Sequence, residues 1–340
     1  MNNEYNYKHE LSYISKYIGQ DESLVQAGGG NTSIKIDDSR MLVKSSGIEL
    51  SAVTDNSGFS IVDYRQVREA LISDANDDSI LKNALIEGLR PSIETYLHSL
   101  TDKYTIHSHP LCVTILVCQT NGMGVLKKLF PDAICVGYAK PGIELAKIFF
   151  HAIQKNSSAF LFFLKNHGLI VSGNSKEDVL KKHNDVINKL CGYLKISQDA
   201  NDVAKHLFCE FQKYDNRLIA YHLENLKKTD LFRENKKSSY MFSPDCIVYC
   251  GMEFLVVKNL DALENAISEF IKQYGIPKVV IAKDFIFAIT TSVRKAKEIE
   301  SVLKLVAKIN QRKIENVDFL SKEDAVKLLN WDAEKYRYNL

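Results

Sequence analysis

The sequence has no apolar run long enough to span a membrane and no cysteine pair in Cys-x-x-Cys spacing. The longest apolar candidate, residues 279–289, is interrupted by Lys283 and Asp284, and residues 1–5 are polar and lack the apolar core of a signal peptide. The seven scattered cysteines form neither a disulfide framework nor a good metal-binding pair. We therefore expect a protein of the reducing cytoplasm.

The sequence also has no strong excess of charge of either sign. Its formal net charge is +2 at pH 7, and 25% of its 340 residues are charged, as in ordinary globular proteins. This balance gives no reason to expect a nucleic-acid or membrane partner. The length suits one large domain or two smaller ones.

The amino-acid composition of the chain changes at about residue 225. Residues 224–239 are polar and rich in lysine, which is typical of a linker. Beyond them, strand-like and helix-like segments alternate in the pattern of a small α/β unit. The sequence therefore predicts two domains, residues 1–225 and 226–340.

Two local patterns give expectations that the fold can test. Residues 80–89 have a helical pattern, and the run between Cys246 and Cys250 is strand-like.

Three histidines follow two segments that are typical of β-strands. His107 and His109 come directly after the strand-like run 103–106 and project from the same face, because strand side chains alternate with period two. His167 follows the apolar run 159–164. Three imidazoles on two strand ends can leave an open fourth position on a tetrahedral zinc, the layout of a catalytic site. The alternative is ordinary histidines at strand ends, because His-x-His is short and common. The other histidines are expected to be surface or packing residues: His9, His98, His151, His183, His206 and His222.

A glycine-rich segment at residues 28–33 precedes a predicted β-hairpin, and a second small loop follows at 45–47. Glycines let backbone N–H groups approach an anion, and the hydroxyls and Asn31 add donors. A tight turn without a ligand is the alternative. The spacing matches neither a dinucleotide fingerprint nor a Walker loop.

Glu94 lies in the first turn of a predicted helix whose expected N-cap is Ser92. A carboxylate there stabilises the helix through its dipole. Alternatively, Glu94 is a general acid/base close to the histidine pair. The residues alone leave both readings open.

Six short motifs occur in one order along the chain: Gly-Gly-Gly-Asn-Thr-Ser at 28–33, Lys-Ser-Ser-Gly at 44–47, Pro-Ser-Ile-Glu at 91–94, His-Ser-His-Pro at 107–110, Tyr-x-x-Pro-Gly at 138–142 and Asn-His-Gly-Leu-Ile at 166–170. Together they resemble the class II aldolase/adducin-type domain, whose members include L-fuculose- and L-rhamnulose-phosphate aldolases and L-ribulose-5-phosphate 4-epimerase. The resemblance covers roughly residues 8–200. Short motifs of the tail resemble the middle segment of bifunctional rhamnulose-phosphate aldolase/dehydrogenase proteins.

The resemblance implies an α/β fold, with a three-layer αβα class II aldolase-like domain and a smaller C-terminal α/β domain. It implies Zn²⁺ bound by His107, His109 and His167. It implies Glu94 as the acid/base and Tyr138 as a catalytic residue that assists proton transfer from a neighbouring subunit.

The resemblance also implies a set of substrate-binding residues around a phosphate: Gly30, Asn31, Ser46, Gly47 and Ser92. One position departs from the pattern, because Ile93 stands where simple aldolases often have a second serine. The change removes a hydroxyl donor and bears on phosphate specificity.

The implied function is a zinc-dependent aldolase that cleaves or forms a C–C bond in a short ketose, expected to be phosphorylated, through a metal-stabilised enediolate. A 4-epimerase, dehydratase or decarboxylase of a sugar derivative is the alternative with the same fold and metal. A non-catalytic adducin-like module is the alternative from another class. By the same analogy we expect a homo-oligomer, with a fourfold ring favoured.

Overall fold

The computed structural model describes residues 2–73, 79–231, 240–312, 314 and 317–331. The chain forms two compact units, Met1–Gln198 and Asp199–Leu340. Among the described residues, no helix combines the length and the apolar character that crossing a bilayer requires.

The first unit is built on one eight-stranded sheet, with strand order β4-β3-β2-β1-β5-β8-β7-β6. Its strands are β1 (Asn31–Lys35), β2 (Arg40–Lys44), β3 (Phe59–Asp63), β4 (Leu85–Gly88), β5 (Tyr104–Ser108), β6 (Ile134–Val136), β7 (Leu161–Leu164) and β8 (Gly168–Gly173). Its helices are α1 (Asn2–Gly19), α2 (Tyr64–Ile72), α3 (Ile80–Asn83), α4 (Thr95–Ser99), α5 (Leu111–Val117), α6 (Gly122–Leu129), α7 (Ile143–Lys155) and α8 (Lys176–Leu194). Neighbouring strands are antiparallel except β6 and β7, which are parallel.

The side chains of β7 explain why helices cover both faces of the sheet. Neighbouring residues of a strand point to opposite faces, and all four residues of this strand are buried. The ring of Phe162 meets Phe149 of α7 at 4.6 Å between centroids, whereas the ring of Phe163 meets Phe130, which follows α6, at 5.4 Å. The predicted three-layer αβα architecture is confirmed.

Strand β5 lies inside the sheet between β1 and β8. In the pairing register, His107 lies opposite Asn31 of β1 and Ile170 of β8. Strands β7 and β8 form a hairpin that closes at the pair Leu164 and Gly168. The end of β5 and the β7–β8 turn therefore lie side by side.

The segment 80–89 differs from its predicted helix. Helix α3 ends at Asn83, and Leu85–Gly88 forms β4, the edge strand that pairs with β3. Gly88 has a φ of 95°, and a Cβ there would lie 2.7 Å from the carbonyl oxygen of Phe59. Glycine therefore permits a close strand pairing that the helical pattern did not indicate.

The second unit contains a four-stranded sheet of order β10-β11-β12-β9. Its strands are β9 (Ile219–His222), β10 (Leu255–Val257), β11 (Val279–Ala282) and β12 (Phe285–Thr290). Its helices are α9 (Asp199–Phe211), α10 (Lys228–Leu231), α11 (Pro244–Cys250), α12 (Leu263–Tyr274), α13 (Val293–Gln311) and α14 (Lys322–Asn330). The strand-like interpretation of the run between Cys246 and Cys250 was wrong, since Pro244 begins a helix there.

The compact units divide earlier than the predicted boundary at 225/226. Strand β9 lies within residues 1–225, yet it pairs with β12 of the second unit. The predicted linker 224–239 is described as far as residue 231, and 232–239 lie outside the described residues. The division into independent domains stays a prediction.

Candidate metal centre

His107 is the buried centre of the site. It lies in β5 without exposed surface, and its Nδ1 atom is 2.9 Å from the carbonyl oxygen of Leu169. A carbonyl can only accept, so Nδ1 carries the ring proton and donates it, which leaves the lone pair of His107 on Nε2. That Nε2 atom is 2.9 Å from the Nε2 atom of His109.

Close packing holds the ring of His109 from two sides. The backbone N–H of His109 donates to the carbonyl oxygen of Leu24 at 2.8 Å. A Cβ at Gly29 would lie 3.0 Å from Nδ1 of the imidazole, and a Cβ at Gly168 would lie 2.7 Å from its Cδ2. Glycine at both positions therefore makes the space in which this ring sits.

His167 reaches the same place from the β7–β8 turn. Asn166 adopts the left-handed conformation with a φ of 55°, and the N–H of His167 donates to the carbonyl oxygen of Leu164 at 3.1 Å. The ring centroid of His167 lies 4.8 Å from that of His107 and 5.3 Å from that of His109.

The three imidazoles offer one nitrogen each to a common point. These nitrogens lie within 4.8 Å of one another. Two nitrogen ligands of a tetrahedral zinc are about 3.4 Å apart when each zinc–nitrogen bond is about 2.1 Å. The cluster therefore has the dimensions of a three-histidine metal site.

Glu94 faces this cluster. Its Oε1 atom is 2.9 Å from Nε2 of His167 and 3.3 Å from Nε2 of His107. Its Oε2 atom accepts a hydrogen bond from Nδ2 of Asn31 at 2.5 Å. Glu94 is the N-cap residue of α4, but its side chain makes no capping hydrogen bond. The carboxylate is therefore directed at the imidazoles rather than at the helix.

The start of α4 corrects the sequence-based interpretation by two residues. Ser92 was expected to be the N-cap with Glu94 in the first turn, whereas the helix begins at Thr95. The N–H of Thr95 donates to the carbonyl oxygen of Ser92 at 3.0 Å, which makes a turn before the helix. Glu94 therefore precedes the helix instead of lying in its first turn.

Burial keeps the imidazoles of His107 and His109 neutral, whereas the carboxylate of Glu94 stays ionised. Burial lowers the pKa of His107 to about 3, although Glu94 acts to raise it, and burial also lowers the pKa of His109. Burial alone would raise the pKa of Glu94, but the hydrogen bonds with His167 and Asn31 outweigh it and hold that pKa well below its usual range. At neutral pH the site therefore presents the neutral imidazoles of His107 and His109 beside one negative charge.

These donors fit a divalent metal ion. Because Nδ1 of His107 donates to Leu169, the lone pair on its Nε2 faces the carboxylate of Glu94 at 3.3 Å. Two electron-rich atoms this close in a buried site are unfavourable unless a cation lies beside them. Neutral imidazole nitrogens are donors that zinc accepts readily.

Asn31 and Ser92 connect the glycine loop to the carboxylate. Gly30 has a φ of 67°, which favours glycine, and Asn31 follows it opposite His107. Nδ2 of Asn31 donates to Oγ of Ser92 at 3.2 Å as well as to Glu94. Oδ1 of Asn31 is buried and has no hydrogen-bond partner among the described residues. A buried acceptor without a donor is costly, so this oxygen fits a ligand hydroxyl.

The loop of Ser46 and Gly47 lies beside Ser92 through backbone hydrogen bonds. The N–H of Ser46 donates to the carbonyl oxygen of Arg90 at 2.8 Å, and the N–H of Ser92 donates to that of Lys44 at 3.2 Å. Ser46 and Gly47 are exposed. The exposed loop of Ser46 and Gly47 thus lies next to the buried Ser92, and the role of these residues in substrate binding stays a prediction.

Lys44 is a buried link that the sequence analysis did not single out. Its Nζ donates to the carbonyl oxygens of Gly28 at 3.1 Å and Ile48 at 2.5 Å, which joins the two loops. Burial lowers the pKa of Lys44, and Glu94 acts to raise it. A lysine before Ser-Ser-Gly has the pattern of a surface residue, and only the fold shows that it is buried.

Tyr138 lies at the surface, apart from the carboxylate. Its side chain is 69% exposed, and it lines a cavity of about 200 Å³ together with His167. Direct contacts join Glu94, Asn31, Ser92 and the histidines, whereas Tyr138 lies at the rim.

Two further histidines are buried, as packing residues with hydroxyl partners. Nδ1 of His98 lies 2.7 Å from Oγ of Ser33, and Nε2 of His183 lies 2.8 Å from Oγ of Ser108. Ser108 separates His107 from His109 in the sequence. No pattern in the sequence indicates this pair, because its members are 75 positions apart.

The αβα fold and the cluster of three histidines and one carboxylate at the end of a central strand define the class of this protein. Residues 9–191 match the family described as the class II aldolase and adducin N-terminal domain, and this match covers more than half of the chain. The chain belongs to this family. The recognition from the six motifs is confirmed, while the resemblance of the tail stays a prediction.

The chain is similar to several known proteins over little more than half of its length. It is 30% identical to the uncharacterized oxidoreductase YuxG of Bacillus subtilis (strain 168) over 200 residues, which are 54% of this chain and 29% of that protein. It therefore spans less than a third of that relative. The N-terminal class II aldolase domain of a conserved protein from Thermoplasma acidophilum has 25% identity and a TM-score of 0.50, and covers 54% of this chain and 92% of that one. An aldolase II superfamily protein from Pseudomonas syringae has 13% identity and a TM-score of 0.45, with coverage of 59% and 79%.

Proposed function

We propose that the chain is a zinc-dependent aldolase that cleaves or forms a C–C bond in a short phosphorylated ketose. One observation carries this proposal: Oε1 of Glu94 lies 2.9 Å and 3.3 Å from two imidazoles of the three-histidine cluster. A buried acid/base beside a candidate metal site is the arrangement that proton transfer next to a carbonyl needs.

Glu94 moves the proton at the carbon next to the ketone. In synthesis it removes that proton, and in cleavage it returns it to the same carbon. Its ionised state at neutral pH prepares it to act as the base. When bound to His107, His109 and His167, zinc supplies Lewis-acid polarisation of the carbonyl oxygen.

The neighbouring polar groups bind and orient the substrate. Oδ1 of Asn31, which lacks a donor among the described residues, accepts a hydrogen bond from a sugar hydroxyl. Gly30, Ser46, Gly47 and Ser92 receive the phosphate through backbone N–H and hydroxyl groups. Burial of Glu94 and Asn31 excludes water from the reacting carbon.

The test is an assay for the released aldehyde. The zinc-loaded protein is incubated with L-fuculose 1-phosphate and, separately, L-rhamnulose 1-phosphate, and a chelated sample is run beside it. We expect the zinc-loaded protein to release one aldehyde for each triose phosphate, which is the other product of cleavage. The chelated sample should release little of either. An isomeric sugar phosphate without aldehyde would favour the epimerase alternative. Full metal content with no change in any ketose phosphate would favour the non-catalytic module.

Tyr138 supports an oligomer with shared active sites. A tyrosine that is 69% exposed beside the cavity of His167 is available to a neighbouring subunit. We propose that a homotetramer brings it to the site of the neighbour, where it takes the proton of the hydroxyl that becomes the aldehyde in cleavage and returns a proton to the aldehyde oxygen in synthesis. Light scattering at micromolar concentration should give four times the chain mass, and a monomer would contradict this arrangement.

A further inference from the structure

The residue between the two strand histidines faces away from the cluster. Side chains alternate along β5, so Ser108 projects from the sheet face opposite to that of His107 and His109. Ser108 is fully buried. Its hydroxyl therefore needs a partner in the helix layer on that face.

His183 of α8 is that partner. Its imidazole is fully buried, and its Nε2 atom lies 2.8 Å from Oγ of Ser108. Helix α8 is itself fixed at its N-terminus, where Oγ of Ser175 accepts a hydrogen bond from the N–H of Asp178 at 3.1 Å. The hydrogen bond thus joins the end of β5 to a helix whose N-terminus is capped.

We propose that His183 is a positioning residue that sets the spacing of the metal ligands through Ser108. Ser108 is covalently bonded to both His107 and His109, so a rotation or shift of its backbone changes the distance between their Nε2 atoms, now 2.9 Å. The hydrogen bond with His183 opposes that shift from the far side of the sheet. The proposal rests on the proposed metal-dependent function and adds a residue that touches neither metal nor substrate.

An apolar residue at position 183 could fill the same space but could not replace the hydrogen bond. The buried hydroxyl of Ser108 would then turn to a backbone carbonyl, because a buried polar group seeks a partner. The backbone at the end of β5 would shift with the hydroxyl of Ser108. Supporting residues of metal ligands typically alter metal affinity by about 10–100-fold when they are removed.

The test compares two substitutions at position 183 in the full-length protein. His183→Gln places an amide group near the position of Nε2 and can keep the bond to Ser108, whereas His183→Leu removes it at similar size. Cobalt(II) and zinc affinities are measured by competition with a chelator, together with the visible spectrum of bound cobalt(II). We expect His183→Leu to bind about 10–100-fold more weakly with a shifted spectrum, and His183→Gln to recover most of both.

Thr101→Val is the matched control. The hydroxyl of Thr101, which precedes β5, lies 2.7 Å from the hydroxyl of Thr105 in that strand, and this pair is also buried. This variant should lose stability but keep the parent cobalt spectrum and affinity, because the pair does not touch the segment 107–109.

A double-mutant cycle keeps the proposal testable if His183→Leu folds poorly. Ser108→Ala alone should weaken metal binding to a similar degree. Adding His183→Gln to Ser108→Ala should cause little further loss, because the hydroxyl that residue 183 holds is already absent. Parent-like affinity and spectrum in His183→Leu or Ser108→Ala would overturn the positioning role alone. A parent protein that binds neither cobalt nor zinc would overturn the metal-dependent function and this inference with it.

Discussion

Groups from three separate segments surround the carboxylate of Glu94. Asn31 donates to one oxygen, and His107 and His167 face the other. If the carboxylate only favoured the helix dipole, Glu94→Gln would cost about 0.3–1 kcal/mol of stability and leave turnover largely intact.

We predict instead that Glu94→Gln keeps its fold and zinc while turnover falls by roughly 10²–10⁴-fold, the usual contribution of a positioned acid/base. Substrate affinity should change little, because Asn31, Ser92 and the metal still bind the sugar. A steady-state assay and a zinc measurement on the variant and the parent decide this. Full zinc with near-parent turnover would make Glu94 a structural residue.

His98, which is not one of the proposed metal ligands, gives a pH-dependent prediction. Burial lowers the pKa of this fully buried imidazole from 6.5 to about 4. Between pH 4 and 6.5 the unfolded chain therefore binds one more proton at this position than the folded chain. The free energy of unfolding consequently falls as the pH falls through this window.

His98→Asn removes the titration and keeps an amide near Oγ of Ser33. Urea unfolding of the parent and the variant at several pH values should show a slope smaller by about 1.4 kcal/mol per pH unit in the variant. Equal slopes would mean that His98 is already charged in the folded protein.

At the scale of single residues, the sequence predicts much of the site but not its supports. Alternation along a strand places His107 and His109 on one face, and the apolar run 159–164 predicts the strand that precedes His167. Lys44, His98 and His183 could not be recognised, because their burial and partners depend on segments many positions away. The short pattern around Ser92 and Glu94 also could not show where the helix begins.

At the scale of elements, the approach of β5 and β8 determines the shape of the site. A Cβ at Gly168 would lie 2.5 Å from the carbonyl oxygen of Ser108 and 2.7 Å from Cδ2 of His109. We predict that Gly168→Ala lowers the free energy of unfolding by about 1–3 kcal/mol and weakens zinc binding, because strand and imidazole must move apart.

Gly192→Ala is the control for this change. Gly192 lies in α8, and a Cβ there would have no neighbour within 4 Å, so alanine should be neutral or stabilise by about 0.5–1 kcal/mol. Denaturant unfolding and zinc titration measure both variants. Normal zinc affinity in Gly168→Ala would show that the strand spacing does not control the site.

Long periodic elements were predictable from the sequence, whereas short ones depended on their partners. The helices at 143–155 and 176–194 and the buried strand at 161–164 follow from the pattern of apolar residues. The strand Leu85–Gly88 and the helix Pro244–Cys250 are too short for periodicity to distinguish helix from strand. Pairing with β3 makes the first segment a strand. Burial in the hydrophobic core of the second unit accompanies the helical conformation of the other.

At the scale of the whole molecule, β9 precedes the polar segment 224–239 in the sequence, yet it belongs to the same sheet as β10, β11 and β12, which follow that segment. Strand β9 pairs with β12 over four residue pairs, and both strands are almost fully buried. We predict that limited trypsin digestion cuts the chain between residues 227 and 239, where lysines and polar residues concentrate. The two fragments should still elute together in native gel filtration, because the β9–β12 pairing spans the cut.

Two results would contradict that view of the molecule. Cleavage mainly within 100–170 would mean that the boundary between the domains is misplaced. Separation of the fragments without denaturant would mean that β9 does not belong to the second sheet.

The metal content of the purified protein tests the central claim most directly. Elemental analysis of the parent should find about one zinc per chain, as expected for a four-coordinate site with three protein ligands. His109→Ala should lose most of that zinc, while His151→Ala, at an exposed histidine of α7, should keep it. Full zinc content in His109→Ala would contradict the ligand set His107, His109 and His167.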